Sequence, residues 1–111
     1  MPNKLTRFPV HLGLGACALS EPEFTGLDWY ADYAARHPDD GIEGRLVSMH
    51  SFEAPWDSWE MHPQVSEVVI CTAGTMTLVQ EVEGKEVRTS LDPGEYAVNQ
   101  PGVWHTADVG R

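Results

Sequence analysis

From Arg45 onward, apolar and polar residues alternate in short runs separated by turn residues. Leu46, Ser48 and His50 fall on one side of the first run, with Val47, Met49 and Ser51 on the other. Further runs extend from Trp56 to His62, from Glu67 to Thr72, from Thr75 to Glu81 and from Glu86 to Thr89. A period of two belongs to a β-strand, whose successive side chains point to opposite faces. Glu83-Gly84 has the form of a hairpin turn, and Asp92-Pro93-Gly94 places proline second and glycine third in another. Short strands joined by such turns predict a β-sandwich or barrel.

The N-terminal part reads differently. Val10, Leu12 and Leu14 alternate with His11, Gly13 and Gly15, which predicts a strand with a crowded or closely approached face. His11 is expected to be structural or exposed. Thr25-Gly26-Leu27-Asp28 has the form of a helix capping box. Leu27, Tyr30, Ala31, Ala34 and Ala35 follow at helical spacing, and Pro38 closes the segment. One short helix is therefore expected on the outside of the β-structure, followed by a loop at Asp39-Asp40-Gly41. No internal repeat is present. The chain divides into an N-terminal strand and helix extension, residues 1–40, packed on a β core of residues 41–111.

Composition narrows the function classes. A chain of 111 residues suits one domain with a modest core. Seven Lys and Arg against seventeen Asp and Glu give a formal charge of -10, which repels phosphate backbones and excludes nucleic acid as a partner. No segment is apolar enough to span a membrane. Leu14-Gly15-Ala16-Cys17, preceded by Lys4 and Arg7, has the outline of a lipoprotein cleavage box. Pro9 and His11 interrupt the apolar stretch before it, which argues against export. Cys17 and Cys71 are the only cysteines and lie far apart. Free thiols and a cytoplasmic location are expected, with Cys71 filling the core on the face it shares with Glu67.

The chemistry concentrates in two stretches. Glu60-Met61-His62-Pro63-Gln64-Val65-Ser66-Glu67 is followed after six residues by Gly74. The second stretch runs from Gly94-Glu95 through Pro101-Gly102-Val103-Trp104-His105. Glu60 and His62 share a face of an extended strand, Glu67 opens the next strand, and His105 arrives on a third after a Pro-Gly turn. Two imidazoles and two carboxylates converging inside a β-structure are costly to bury without a positive partner. A divalent metal is the simplest one. Trp59 and Met61 alternate with the candidate ligands and are expected to face away. Trp56 and Trp104, which adjoin turns, are expected to line the pocket mouth, and His50 is a candidate to reach it from its own strand.

These two stretches resemble the paired motifs of the cupin superfamily, over about half of the chain. The family's first motif is His-x-His, four residues, Glu, six residues, Gly; its second begins with Gly and ends in Pro-x-x-x-His. The resemblance implies an all-β fold, a cupin-type double-stranded β-helix or jelly-roll barrel, here with one short N-terminal helix. It implies metal ligation by His62, Glu67 and His105, with Gly74, Gly94, Pro101 and Gly102 matching the frame. Glu60 stands where the family has its first histidine. Glutamate is a competent oxygen ligand for the same metals, so the departure reads as altered ligation. The expected ion is a divalent first-row metal: manganese, iron, nickel or zinc. Glu60 is either its fourth ligand or a catalytic base. In the second case His62, Glu67 and His105 form the two-His, one-carboxylate face of non-haem iron chemistry.

Two functions follow from the resemblance. One is a metal-dependent enzyme that oxidises or isomerises a small organic molecule. The other is a non-catalytic module that holds a metal or small ligand for sensing or storage. Only six residues follow His105, whereas the family usually adds a further strand. Either the chain is a shortened form or another element covers that edge. Phe8 to Leu14 is a spare strand for it, and Trp59 and Met61 offer an outward apolar surface, so a homodimer is expected.

Overall fold

A computed structural model of the chain describes residues 2–56 and 58–109. They form eight strands in three antiparallel sheets and one α-helix, a mostly β architecture. The sheets do not close into a barrel. The chain separates into two compact units, Met1–Ser51 and Phe52–Arg111.

In the first unit, β1 (Val10–Gly13) lies between β2 (Cys17–Ser20) and β3 (Arg45–Val47). Both edges of β1 are therefore paired within its own sheet, by Val10↔Ser20 on one side and Val10↔Val47 on the other. The face of β1 that turns inward is the polar one. His11 is only 1% exposed, while Leu12 is exposed. Gly13 lies on the same crowded face: a Cβ there would meet Asp40 Oδ2 at 2.6 Å, His11 Nε2 at 2.8 Å and Cys17 Sγ at 2.9 Å. Only glycine fits that approach.

The helix α1 spans Asp28–Arg36, with an acidic residue in its first turn and a basic one in its last, as the helix dipole favours. Its N-cap is Leu27, without a side-chain cap, so the capping box read at Thr25 does not form. The buried face also differs from the expected one. Trp29 is buried and stacks on Tyr33 at 5.3 Å, whereas Leu27 is 85% exposed. Burying the indole removes more apolar area than burying Leu27, and its Nε1 finds an acceptor, Pro22 O, at 3.0 Å. The segment after the helix, expected as a loop, is a 3-10 turn over Pro38–Glu43.

In the second unit, β4 (Glu67–Ile70) pairs with β7 (Tyr96–Asn99). A separate sheet places β5 (Met76–Val82) between β6 (Lys85–Leu91) and β8 (His105–Val109). Glu83-Gly84 makes the two-residue hairpin between β5 and β6, with Val82 opposite Lys85. The strand expected from Trp56 to His62 is reduced to an isolated bridge between Glu60 and His105; Asp57 lies outside the described residues. Trp56 N donates to Ala107 O, so this segment still runs beside β8. Leu78, Val79, Leu91, Ala107 and Cys71 form the apolar core. Along β4 the alternation holds: Val68 and Ile70 are exposed, while Glu67, Val69 and Cys71 turn inward. The two cysteines are free thiols.

Candidate metal centre

His105 is fixed first. Its strand follows a turn in which Val103 N donates to Gln100 O, with Gly102 at φ +81°, a conformation that favours glycine. Gly102 N donates to His62 O, which ties the segment bearing His62 to that turn. Glu60 and His105 exchange both backbone hydrogen bonds, each 2.8 Å, so their side chains share one face. Glu60, His62 and His105 each offer a donor atom, and these atoms lie within 4.8 Å of one another. Glu67 meets both imidazoles, with Oε1 at 3.2 Å from His105 Nε2 and Oε2 at 3.7 Å from His62 Nε2. All four residues picked from the sequence are thus brought to one place.

The exposures grade these four groups. His105 is 2% exposed, His62 and Glu67 are half-buried, and Glu60 is the most open to solvent. The Nδ1 of His105 faces Val103 O at 3.4 Å. A carbonyl only accepts, so in the neutral ring the proton belongs on Nδ1 and Nε2 presents its lone pair. Among the described residues, that Nε2 is a buried nitrogen with no hydrogen-bond partner. Glu67 Oε1 lies close enough for an ion pair but not in line for a hydrogen bond. A lone pair facing a carboxylate is repulsive unless a positive charge, a second ring proton or a metal ion, stands between them. This donor set fits a divalent metal ion: the backbone carbonyl orients the ring as second-sphere partners of ligating histidines do.

Two residues not picked from the sequence hold Glu67 in place. Asn99, buried and directly opposite Glu67 in the β4–β7 register, donates from Nδ2 to Glu67 Oε1 at 2.9 Å. Gln80, opposite His105 in the β5–β8 register, donates from Nε2 to Asn99 Oδ1 at 2.7 Å and to Val98 O at 3.1 Å. The signal for Gln80 was present: it is a polar residue on the strand face that also carries Met76 and Leu78. Asn99 had no such mark, because its partner is set by the register of a strand thirty-two residues away.

The aromatic residues and the remaining candidates are spread over both units. Trp104 adjoins His105 but faces the reverse side of the sheet, as successive residues of a strand do. There it lines a cleft of about 250 Å³ with Trp59 and Glu81. Trp56 packs on Phe52 at 5.7 Å. His50 belongs to the first unit, beyond the end of β3, and lies edge-on to Phe24 at 5.2 Å. Cys71 is buried and its thiol points to Ala73 O and Gly74 O, consistent with a core role.

The first unit holds a second polar cluster. His11 Nδ1 is 2.6 Å from the Tyr33 hydroxyl and Nε2 is 2.5 Å from Asp40 Oδ2. The hydrogen bond from His11 is the main reason the Asp40 carboxyl is held below its usual value of 3.8. Burial, reinforced by Glu21 and Asp40, pushes the Tyr33 hydroxyl above its usual 10.0. The His37 ring stacks on His11 at 3.7 Å and 10°. Its Nε2 meets Glu21 Oε2 at 3.0 Å, while Arg36 donates to the other oxygen of the same buried carboxylate.

No family model, no curated protein and no solved structure matches the chain.

Proposed function

We propose that the second unit binds a divalent first-row metal through His62, Glu67 and His105, with Glu60 as the fourth donor. On this reading the protein is a small cupin-type enzyme acting on a small organic molecule. The observation that carries it is the buried His105 Nε2, unpartnered and aimed at the Glu67 carboxylate. The strand pairings support the fold part of the proposal. The Glu60 bridge, β8, β5 and β6 lie in one row, while β4 and β7 pair in another, an arrangement suited to an open jelly roll. A divalent ion held there supplies a Lewis acid for oxidation or isomerisation chemistry. Asn99 fixes the Glu67 carboxylate and Val103 O fixes the His105 ring; if Glu60 stays off the metal, it is instead the exposed group that meets a substrate proton.

The donor set also favours a second reading. Two carboxylates neutralise a divalent ion, which lowers its acidity compared with a three-histidine, one-carboxylate set. A neutral centre suits a module that holds a metal or small ligand without turnover. The test common to both readings is reconstitution with manganese, iron, nickel and zinc in turn, followed by dialysis and metal analysis. Retention of one of them at the second unit supports the site; retention of none overturns it. The homodimer expected from the sequence belongs to the same proposal. Its expected surface is that of Trp59 and Met61 with the N-terminal strand; the exposed Val68, Ile70, Tyr96 and Val98 offer a second one, and light scattering at micromolar concentration tests the dimer.

A further inference from the structure

We propose that the first unit carries a second metal site, in which His11, His37 and Asp40 bind a divalent ion of the zinc class. Each of these residues offers a donor atom, and the three atoms lie within 4.8 Å of one another. They line a single open cavity of about 290 Å³ together with Tyr33, Gly41 and Gly44. The backbone makes room for the cluster. A side chain at Gly44 would come within 3.0 Å of the His11 ring, and one at Gly13 would strike Asp40, His11 and Cys17.

The outer contacts of the two histidines are those of ligating imidazoles. His11 turns Nδ1 to the Tyr33 hydroxyl and shares the proton of its Nε2 with Asp40 Oδ2; an ion bound there displaces that proton and parts the two ligand atoms. His37 turns Nε2 to the Glu21 carboxylate, which leaves Nδ1. Such second partners fix ring orientation and raise ligand basicity. Glu21 is itself anchored by Arg36, so the support extends one residue further. Two imidazole nitrogens and one carboxylate, with the Cys17 thiol at the edge, select zinc, cobalt or nickel over magnesium and calcium. A metal lies in the plane of each imidazole that binds it, and two parallel rings share no such point. Loading therefore tilts one ring out of the stack. His37, which follows the last residue of α1, is the one that moves.

The experiment is a zinc titration of the full chain, followed by calorimetry and by the NMR signals of the histidine rings. The expected result is saturable movement of both the His11 and His37 signals. His37→Ala and the isosteric Asp40→Asn each weaken that binding by more than about 100-fold, since ligand loss exceeds second-sphere loss. His62→Ala leaves it in place, which separates this site from the one in the second unit. The proposal is overturned if zinc leaves the His11 and His37 signals unmoved. It is equally overturned if a folded Asp40→Asn or His37→Ala chain binds zinc at this site as tightly as the unmodified protein.

Discussion

Each unit buries one histidine almost completely, and the two are treated in opposite ways. His11 has a partner on both ring nitrogens and a second imidazole stacked on its face. His105 has one long contact to a carbonyl, and its other nitrogen points at a carboxylate without a hydrogen bond. Burial alone therefore says little about what a histidine does. A polar group taken out of water is stable when its partners are complete and is poised for something else when they are not. In the first unit the protein supplies both partners itself, and the proposed ion has to displace the proton shared with one of them. In the second, the groups that converge on His105 are carboxylates and another imidazole, which is why a bound cation is proposed there.

The largest effect that would break this contrast concerns the second unit. His105→Ala and His62→Ala should each remove one equivalent of bound metal, with affinity falling by more than about 100-fold. Metal analysis after dialysis reads this directly, and unchanged stoichiometry in both variants would abolish the distinction between the two histidines. Next comes stability in the metal-free protein. His11→Ala removes a buried ring and two satisfied hydrogen bonds, at a cost of about 3 kcal/mol. His105→Ala removes a ring equally buried but poorly partnered, so its cost should be smaller by about 1 kcal/mol. Urea unfolding of both variants tests the difference, and equal costs would contradict it.

Asn99→Ala sharpens the same comparison on a smaller scale. It leaves every proposed ligand in place and releases only the Glu67 carboxylate from its anchor. Metal affinity should fall by about 10-fold, the lower end of the range for second-sphere partners. No change would mean that the His105–Glu67 pair holds itself. The mildest probe uses the one thiol in each unit. Alkylation without reductant should reach the half-buried Cys17 in the native protein and the buried Cys71 only on unfolding. Absence of alkylation at both, after unfolding, would reveal a disulfide and overturn the free-thiol assignment.

Local pattern determined a good deal. Alternation placed β4, β5 and β6 close to where they form, because a period of two survives in any half-buried strand. The Glu83-Gly84 turn was legible because a two-residue hairpin admits few residue types. Glu60, His62, Glu67 and His105 were legible as a group because the spacing of acidic and imidazole residues along strands already dictates which faces they share. What escaped were choices between competing local options. Tertiary packing chose Trp29 over Leu27 as the buried face of α1, and a capping box gave way with it. The segment from Trp56 to His62 kept one bridge of an expected strand. Trp104 went to the reverse face from His105, where the sheet and not the turn decided its surroundings.

The sequence by itself determined the β character, the turns and the identity of the metal-ligating candidates, since these rest on neighbours a few residues apart. Only the tertiary structure decided which polar groups would meet across long separations. Asn99 reaches Glu67 through strand register, and Gln80 reaches Asn99 through the approach of two sheets. His11, Tyr33, His37 and Asp40 come together from a strand, a helix and a 3-10 turn. No periodicity records such meetings. They are fixed by the burial of Trp29 and by the bare backbone at Gly13, and so by packing.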